Sequence, residues 1–192
     1  MVRNGDTPLS RLIRTSLKTR VEGRSVLDVG CGHGWVVREA QALGAHEVLG
    51  IDIDPDALLR CVGLPVECCS FDEVDFSLFD VLLCNPSQMP SSLDPTGRNT
   101  MLQPVLAKVV RELTWDGTVL LAQTELSGFD PTEEFCKAFG LECRVITEKV
   151  FNFQEAYKMT MEECCEVATV LDGRRDWVPA ETRARIYEIT RN

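Results

Sequence analysis

The sequence predicts an α/β fold: a single domain built on one doubly wound sheet, mostly parallel, with an antiparallel last strand. Three observations carry that prediction. Short apolar runs rich in Val, Leu and Ile alternate with segments of helical spacing, which is the pattern of βαβ units joined by right-handed crossovers. A glycine-rich turn, Asp28-Val29-Gly30-Cys31-Gly32-His33-Gly34, joins the first such run to the helical segment after it. The 192 residues suit one sizeable core, and no linker composition divides them.

Each element has a local reason. Thr7-Pro8 reads as an N-cap followed by proline in the first turn. Leu9, Leu12, Ile13 and Leu17 then recur at helical spacing, with Arg11, Arg14 and Lys18 on the other face. Val26 to Val29 reads as a strand buried on both faces. A helix follows from Trp35 to Leu43 and stops at Gly44, and Glu47 to Ile51 is the second strand, closed by Asp52. Asp54-Pro55-Asp56 starts a helix that continues through Ala57, Leu58 and Leu59. Further strands are expected at Pro65–Cys69, Phe79–Cys84, Gly117–Gln123 and Leu141–Val150, and helices at Leu102–Leu113 and Thr132–Phe139. Phe153–Leu171 has helical stretches, Asp172-Gly173 marks a turn, and Arg185–Thr190 is the antiparallel last strand. The chain then divides into a helical cap (1–24), a core (25–151), and an insert with the final strand (152–192).

Composition narrows the function. The net charge of -10 opposes sequence-independent binding to nucleic acid. Arg3, Arg11, Arg14, Lys18, Arg20 and Arg24 do gather near the N-terminus, as a solvated helix face or a dock for an anionic partner. No apolar run approaches the roughly 20 residues of a membrane span. Arginines interrupt the N-terminal segment, so no secretory leader is expected, and a cytoplasmic protein is the simplest reading. Nine cysteines without a CxxC pair, including vicinal Cys68-Cys69 and Cys164-Cys165, and only two histidines argue for reduced thiols and against a metal site.

The chemistry concentrates at two places. Glycine in a strand-to-helix turn permits positive φ and close approach of a ligand, and the helix N-terminus behind it adds positive potential and free N–H groups. Asp52, at the end of the next strand, supplies a carboxylate able to accept both hydroxyls of a ribose. A nucleoside-bearing cofactor follows. The dinucleotide fingerprint would need a third glycine where Trp35 stands, so a nicotinamide or flavin dinucleotide is a poor fit. Asn85-Pro86-Ser87-Gln88 follows the fourth strand, where open α/β sheets hold ligands. The Asn85 side chain and the carbonyls flanking Pro86 are fixed acceptors for an amide or an amine.

The G-x-G-x-G spacing after Asp28 resembles the class I S-adenosylmethionine-dependent methyltransferases, whose sheet is Rossmann-like. The resemblance implies S-adenosyl-L-methionine as cofactor, with Asp28, Gly30, Cys31, Gly32 and Gly34 near its methionine part and ribose. It implies Asp52, with Ile53 beside it, on the ribose side and Phe71 and Asp72, in Ser70-Phe71-Asp72, near adenine. Asn85-Pro86 resembles the Asn-Pro-Pro-aromatic motif of amino-methyltransferases, including those that modify the side-chain amide of glutamine in release factors. That resemblance implies catalytic roles for Asn85 and Pro86, a place for Asn85 beside the cofactor, and Gln88 and Met89 lining the substrate pocket. Ser87 replaces the second proline and Gln88 the aromatic ring, so the acceptor expected here is an amide or amine nitrogen of a small molecule or a peptide side chain rather than a stacked base. No recognition domain is expected ahead of the fold, which favours a small substrate. A nucleic-acid amino-methyltransferase and a non-catalytic partner protein of the same fold are the alternatives. His33 and His46 are candidate bases by type only. Tyr157, Met161 and Trp177 are candidate pocket walls, with core packing the commoner fate of such side chains.

Overall fold

The computed structural model describes residues 8–86, 102–114, 116–154 and 180–191. The helices among them are α1 (Pro8–Leu17), α2 (Trp35–Ala42), α3 (Pro55–Leu58), α4 (Leu102–Glu112) and α5 (Asp130–Ala138). The strands are β1 (Ser25–Val29), β2 (Glu47–Asp52), β3 (Val66–Cys68), β4 (Val81–Cys84), β5 (Thr118–Thr124), β6 (Leu141–Asn152) and β7 (Glu181–Arg191). They form one sheet in the order β3-β2-β1-β4-β5-β7-β6. The pairs from β3 to β5 are parallel, whereas β7 runs antiparallel to both β5 and β6. The predicted Rossmann-like doubly wound sheet with an antiparallel last strand is the fold observed.

Two apolar layers cover the sheet. On one face α1 and α2 pack Leu12, Ile13, Leu17, Val36, Val37 and Ala40 against Val26, Val48, Val81, Leu83, Leu120 and Ile186. On the other, Val105, Leu106 and Val109 of α4 and Cys136 of α5 pack against Leu27, Ile51, Leu82, Val119, Leu121 and Tyr187. All of β5 is buried, as a central strand flanked by helices on both faces should be.

The differences from the sequence reading are local. The helix begun at Asp54-Pro55 is a single turn. The Asp54 carboxylate caps it by accepting from the Asp56 N–H at 2.9 Å, and Leu59 ends it. With so short a crossover, Leu59 and Val62 stay exposed. Between β3 and β4 run two short 3-10 turns, Phe71–Glu73 and Phe76–Leu78. β6 and β7 extend beyond their expected limits because they pair with each other along most of their length, with one irregularity between Val145 and Thr147. Thr7 and most of the helical stretches expected over 153–171, with the Asp172-Gly173 turn, lie outside the described residues.

Candidate cofactor and acceptor site

The sheet changes direction of winding between β1 and β4, which is where open α/β sheets place ligands. Register does the assembling. Val29 pairs with Ile51 on one side and with Cys84 on the other. The next residue of each strand is Gly30, Asp52 and Asn85 respectively, so three separate segments deliver their functional residues side by side at one sheet edge.

The glycine loop is held from β2. The Ile51 carbonyl accepts from the N–H groups of both Gly30 and Cys31 at 2.9 Å, and the Gly34 N–H donates to the Cys31 carbonyl at 2.9 Å. The Asp52 carboxylate accepts from the Gly32 N–H at 2.8 Å and from the Asp54 N–H at 2.9 Å. The loop's expected free N–H groups at Gly30, Cys31, Gly32 and Gly34 are therefore engaged within the protein. What the loop offers a ligand is close approach. Gly32 (φ +52) has open space where a Cβ would stand. Gly34 (φ +68) has less room: a Cβ there would meet the end of the Leu64 side chain at 2.5 Å and Cys61 Sγ at 3.1 Å, and its backbone conformation favours glycine.

Two hollows flank the loop. A depression of about 240 Å³ is lined by Gly30, Asp52, Ile53, Cys69 and Phe71. Ile53, 67% exposed, stands at the rim of this depression. Phe71 opens the first 3-10 turn, whose N-cap Ser70 accepts from the Asp72 N–H at 3.3 Å. Asp72 itself is exposed and does not line the hollow. Cys69 does, and the sequence reading passed it over.

The second hollow, about 290 Å³, lies under α1. Ile13, Ser16 and Leu17 of α1 roof it, Val36 of α2 closes one side, and Leu83, Leu120 and Ile186 form the floor. Asp28, Asn85 and Ser16 are the polar residues of this largely apolar lining. Asn85 is half-buried and Pro86 buried. Only tertiary packing brings α1 residues here, although their apolar spacing was the available signal.

Asp28 is the electrostatic anomaly. It is 2% exposed and its Oδ2 has no hydrogen-bond partner among the described residues. Burial pushes its carboxyl up to about 7, and the nearby Asp52 carboxylate adds to the rise. Burial and the same carboxylates push the Cys31 thiol up to about 12, and burial with Asp28 does the same at Cys84. These thiols are protonated packing groups rather than nucleophiles. Cys31 packs beneath α2, so its share in the loop is through its backbone.

His33 is half-buried, with Nδ1 3.0 Å from the Ala57 carbonyl, and His46 is exposed. Neither lines either of these two hollows. Gln88, Met89, Tyr157, Met161 and Trp177 lie outside the described residues. Among the described residues no group of three His, Cys, Asp or Glu is placed to hold a metal ion, and no helix is long and apolar enough to cross a membrane.

The donor set fits a cationic nucleoside cofactor: a buried carboxylate oxygen without a partner among the described residues, open space over Gly32, the Asp52 carboxylate at the sheet edge and an apolar flank at Ile53 and Phe71. Residues 26–103 match the family model described as "Methyltransferase domain". A ribosomal protein L11 methyltransferase of Burkholderia multivorans is 35% identical over 127 residues, covering 57% of this chain and 41% of that protein. The chain thus spans less than half the length of this curated relative. Among solved structures, the Mtq2-Trm112 complex of E. cuniculi, responsible for methylating the translation termination factor eRF1, superposes with a TM-score of 0.64 at 18% identity, covering 100% of this chain and 98% of that chain. A TehB-like SAM-dependent methyltransferase from Corynebacterium glutamicum gives a TM-score of 0.53 at 22% identity, covering 98% and 90%. At such identities these structures speak for the fold. The chain is thus similar to methyltransferases over residues 26–103, and that segment lies on a single Rossmann-like sheet.

Proposed function

We propose that the protein transfers a methyl group to an amide or amine nitrogen of a small molecule or of a peptide or protein side chain. The observation that carries this reading is the register that sets Gly30, Asp52 and Asn85 side by side at the switch point. When bound, the cofactor supplies a methyl group already activated on a sulfonium. The chain's own task is then placement and charge stabilisation. Asp52 keeps lone pairs for ribose hydroxyls beyond those that accept the Gly32 and Asp54 N–H groups. Ile53 and Phe71 flank the base. The Asn85 side-chain oxygen and the Pro86 carbonyl accept the N–H groups of the acceptor, aim its lone pair, and stabilise the positive charge that grows on it during attack. Gln88 and Met89, next in sequence, are assigned to substrate contact by the same motif.

A protein or peptide acceptor is supported by similar proteins: one is a ribosomal protein L11 methyltransferase, and another belongs to a complex that methylates eRF1. The net charge of -10 weighs against a nucleic-acid acceptor. The free thiols at Cys31, Cys61, Cys68 and Cys84 favour a reducing, cytoplasmic setting. In the same reading residues 1–24 are a cap, 25–151 the cofactor core, and 152–192 an insert with the last strand.

The test is methyl uptake from radiolabelled cofactor onto amide- and amine-bearing peptides, beside calorimetric titration of the cofactor. Asn85→Ala is expected to lower turnover about 100-fold or more while cofactor affinity stays within about twofold. Asp52→Ala is expected to do the reverse, weakening cofactor binding at least about tenfold. Unchanged turnover in Asn85→Ala removes its assigned role.

A further inference from the structure

We propose that binding of the cationic cofactor ionises Asp28 and expels its proton to solvent, so that cofactor affinity is governed by pH; this deepens the cofactor reading above and rests on it. Asp28 sits at the floor of the hollow under α1, 2% exposed, with Oδ2 unpartnered among the described residues. The charged and titratable groups that bear on it are Asp52 at the end of β2, Cys31 in the loop, Cys61 behind it and Cys84 on β4. From α1 it faces Ile13, Ser16 and Leu17, from α2 Val36, and among the described residues no lysine, arginine or histidine lines the hollow.

A carboxyl buried beside another carboxylate with no cation near it keeps its proton to neutral pH, and burial with Asp52 holds Asp28 up to about 7. A ligand carrying positive charge reverses that balance by favouring the ionised form. The carboxyl O–H bond then breaks, its electron pair stays on the carboxylate, and buffer takes the proton. Reciprocity follows: whatever lowers the proton affinity of Asp28 on binding makes the ligand bind more weakly as protons are added. Affinity is therefore full above the free-protein value and falls as pH drops through it.

The experiment is calorimetric titration of the full chain with S-adenosylmethionine at pH 6 and pH 7, each in buffers of different ionisation enthalpy. This range stays below the ligand's own α-amino group, expected near 7.7–8.0. The wild type is expected to release about 0.9 proton per ligand at pH 6 and about half a proton at pH 7, with about fivefold weaker binding at pH 6. Asp28→Asn is expected to release close to none, with affinity changing by less than about 1.5-fold over the same range. Carboxyl carbon-13 NMR of the wild type reads the same event without a substitution: Asp28 titrates near neutrality in the free protein and stays ionised in the complex. Binding without proton release, or an Asp28 resonance ionised in both states, overturns the inference alone. Absence of binding at any pH overturns the cofactor reading and the inference with it.

Discussion

Asp28 faces two opposed demands. Its strand is central and covered on both faces, so the local environment favours an apolar residue there. Folding buries its carboxyl without a partner, and its value rises from 3.8 to about 7. The unfolded chain loses this proton near pH 4 and the folded chain only near 7, so stability falls as pH rises through that window. A shift of this size corresponds to about 4 kcal/mol above pH 7. Asp28→Asn should therefore be more stable than the wild type at pH 8.5 by about 2–4 kcal/mol and indistinguishable from it below pH 4, as read by urea unfolding at the two pH values. A wild type more stable than the variant at pH 8.5 rejects this account. The glycine loop, Asp52 and Asn85 were legible in the sequence because glycine, a strand-terminal acid and an Asn-Pro step are local signals. The isolation of Asp28 was not, since it depends on what α1, α2 and β4 set around it.

At the scale of elements, α4 shows how a helix tolerates a buried cation. Lys108 is 5% exposed, packed beside the second 3-10 turn. Its Nζ meets the Glu112 carboxylate at 2.8 Å, one turn on, and lies 4.9 Å from the centre of the Phe76 ring. Glu112 also accepts from the Phe76 N–H at 3.1 Å. Burial pushes its carboxyl up, but the Lys108 ammonium and the Phe76 N–H hold it below the usual carboxylate range. Glu112→Ala should cost about 2–3 kcal/mol because it strands the lysine and an N–H. Lys108→Met should cost less, since methionine refills the apolar volume. Chemical denaturation of both variants checks the order, and equal losses refute it. The helical spacing of α4 was plain in the sequence. Its buried Lys108 was not, because a lysine on a helix reads as exposed until its partners across the fold are known.

At the scale of the molecule, β7 joins the halves. Glu188 accepts from Arg20, in the segment after α1, at 2.8 Å and from Arg144 on β6. Arg185 meets Glu133 of α5 at 2.8 Å and Glu148 of β6 at 2.5 Å, with its guanidinium 4.2 Å from the Phe129 ring centre. Burial raises the Glu188 carboxyl, yet its hydrogen bonds to Arg144 and Arg20 outweigh that and leave it below its ordinary value. Its contribution is present above about pH 4.3 and is lost as pH falls through the lowered folded value. Glu188→Gln should therefore lower the urea midpoint at pH 7, and the deficit should shrink as pH falls below about 4. A deficit that does not shrink with falling pH assigns the loss to packing instead. The alternation of strands and helices, the glycine loop and the strand-end Asp52 were determined by the sequence itself, because periodicity, glycine and strand-end acids act over a few residues. Which residues meet was decided only in three dimensions. Register sets Gly30, Asp52 and Asn85 level, the roof of α1 closes a hollow over Asp28, and β7 inserts between β5 and β6. Pairing and burial join residues far apart in the chain, and no local pattern encodes their distance.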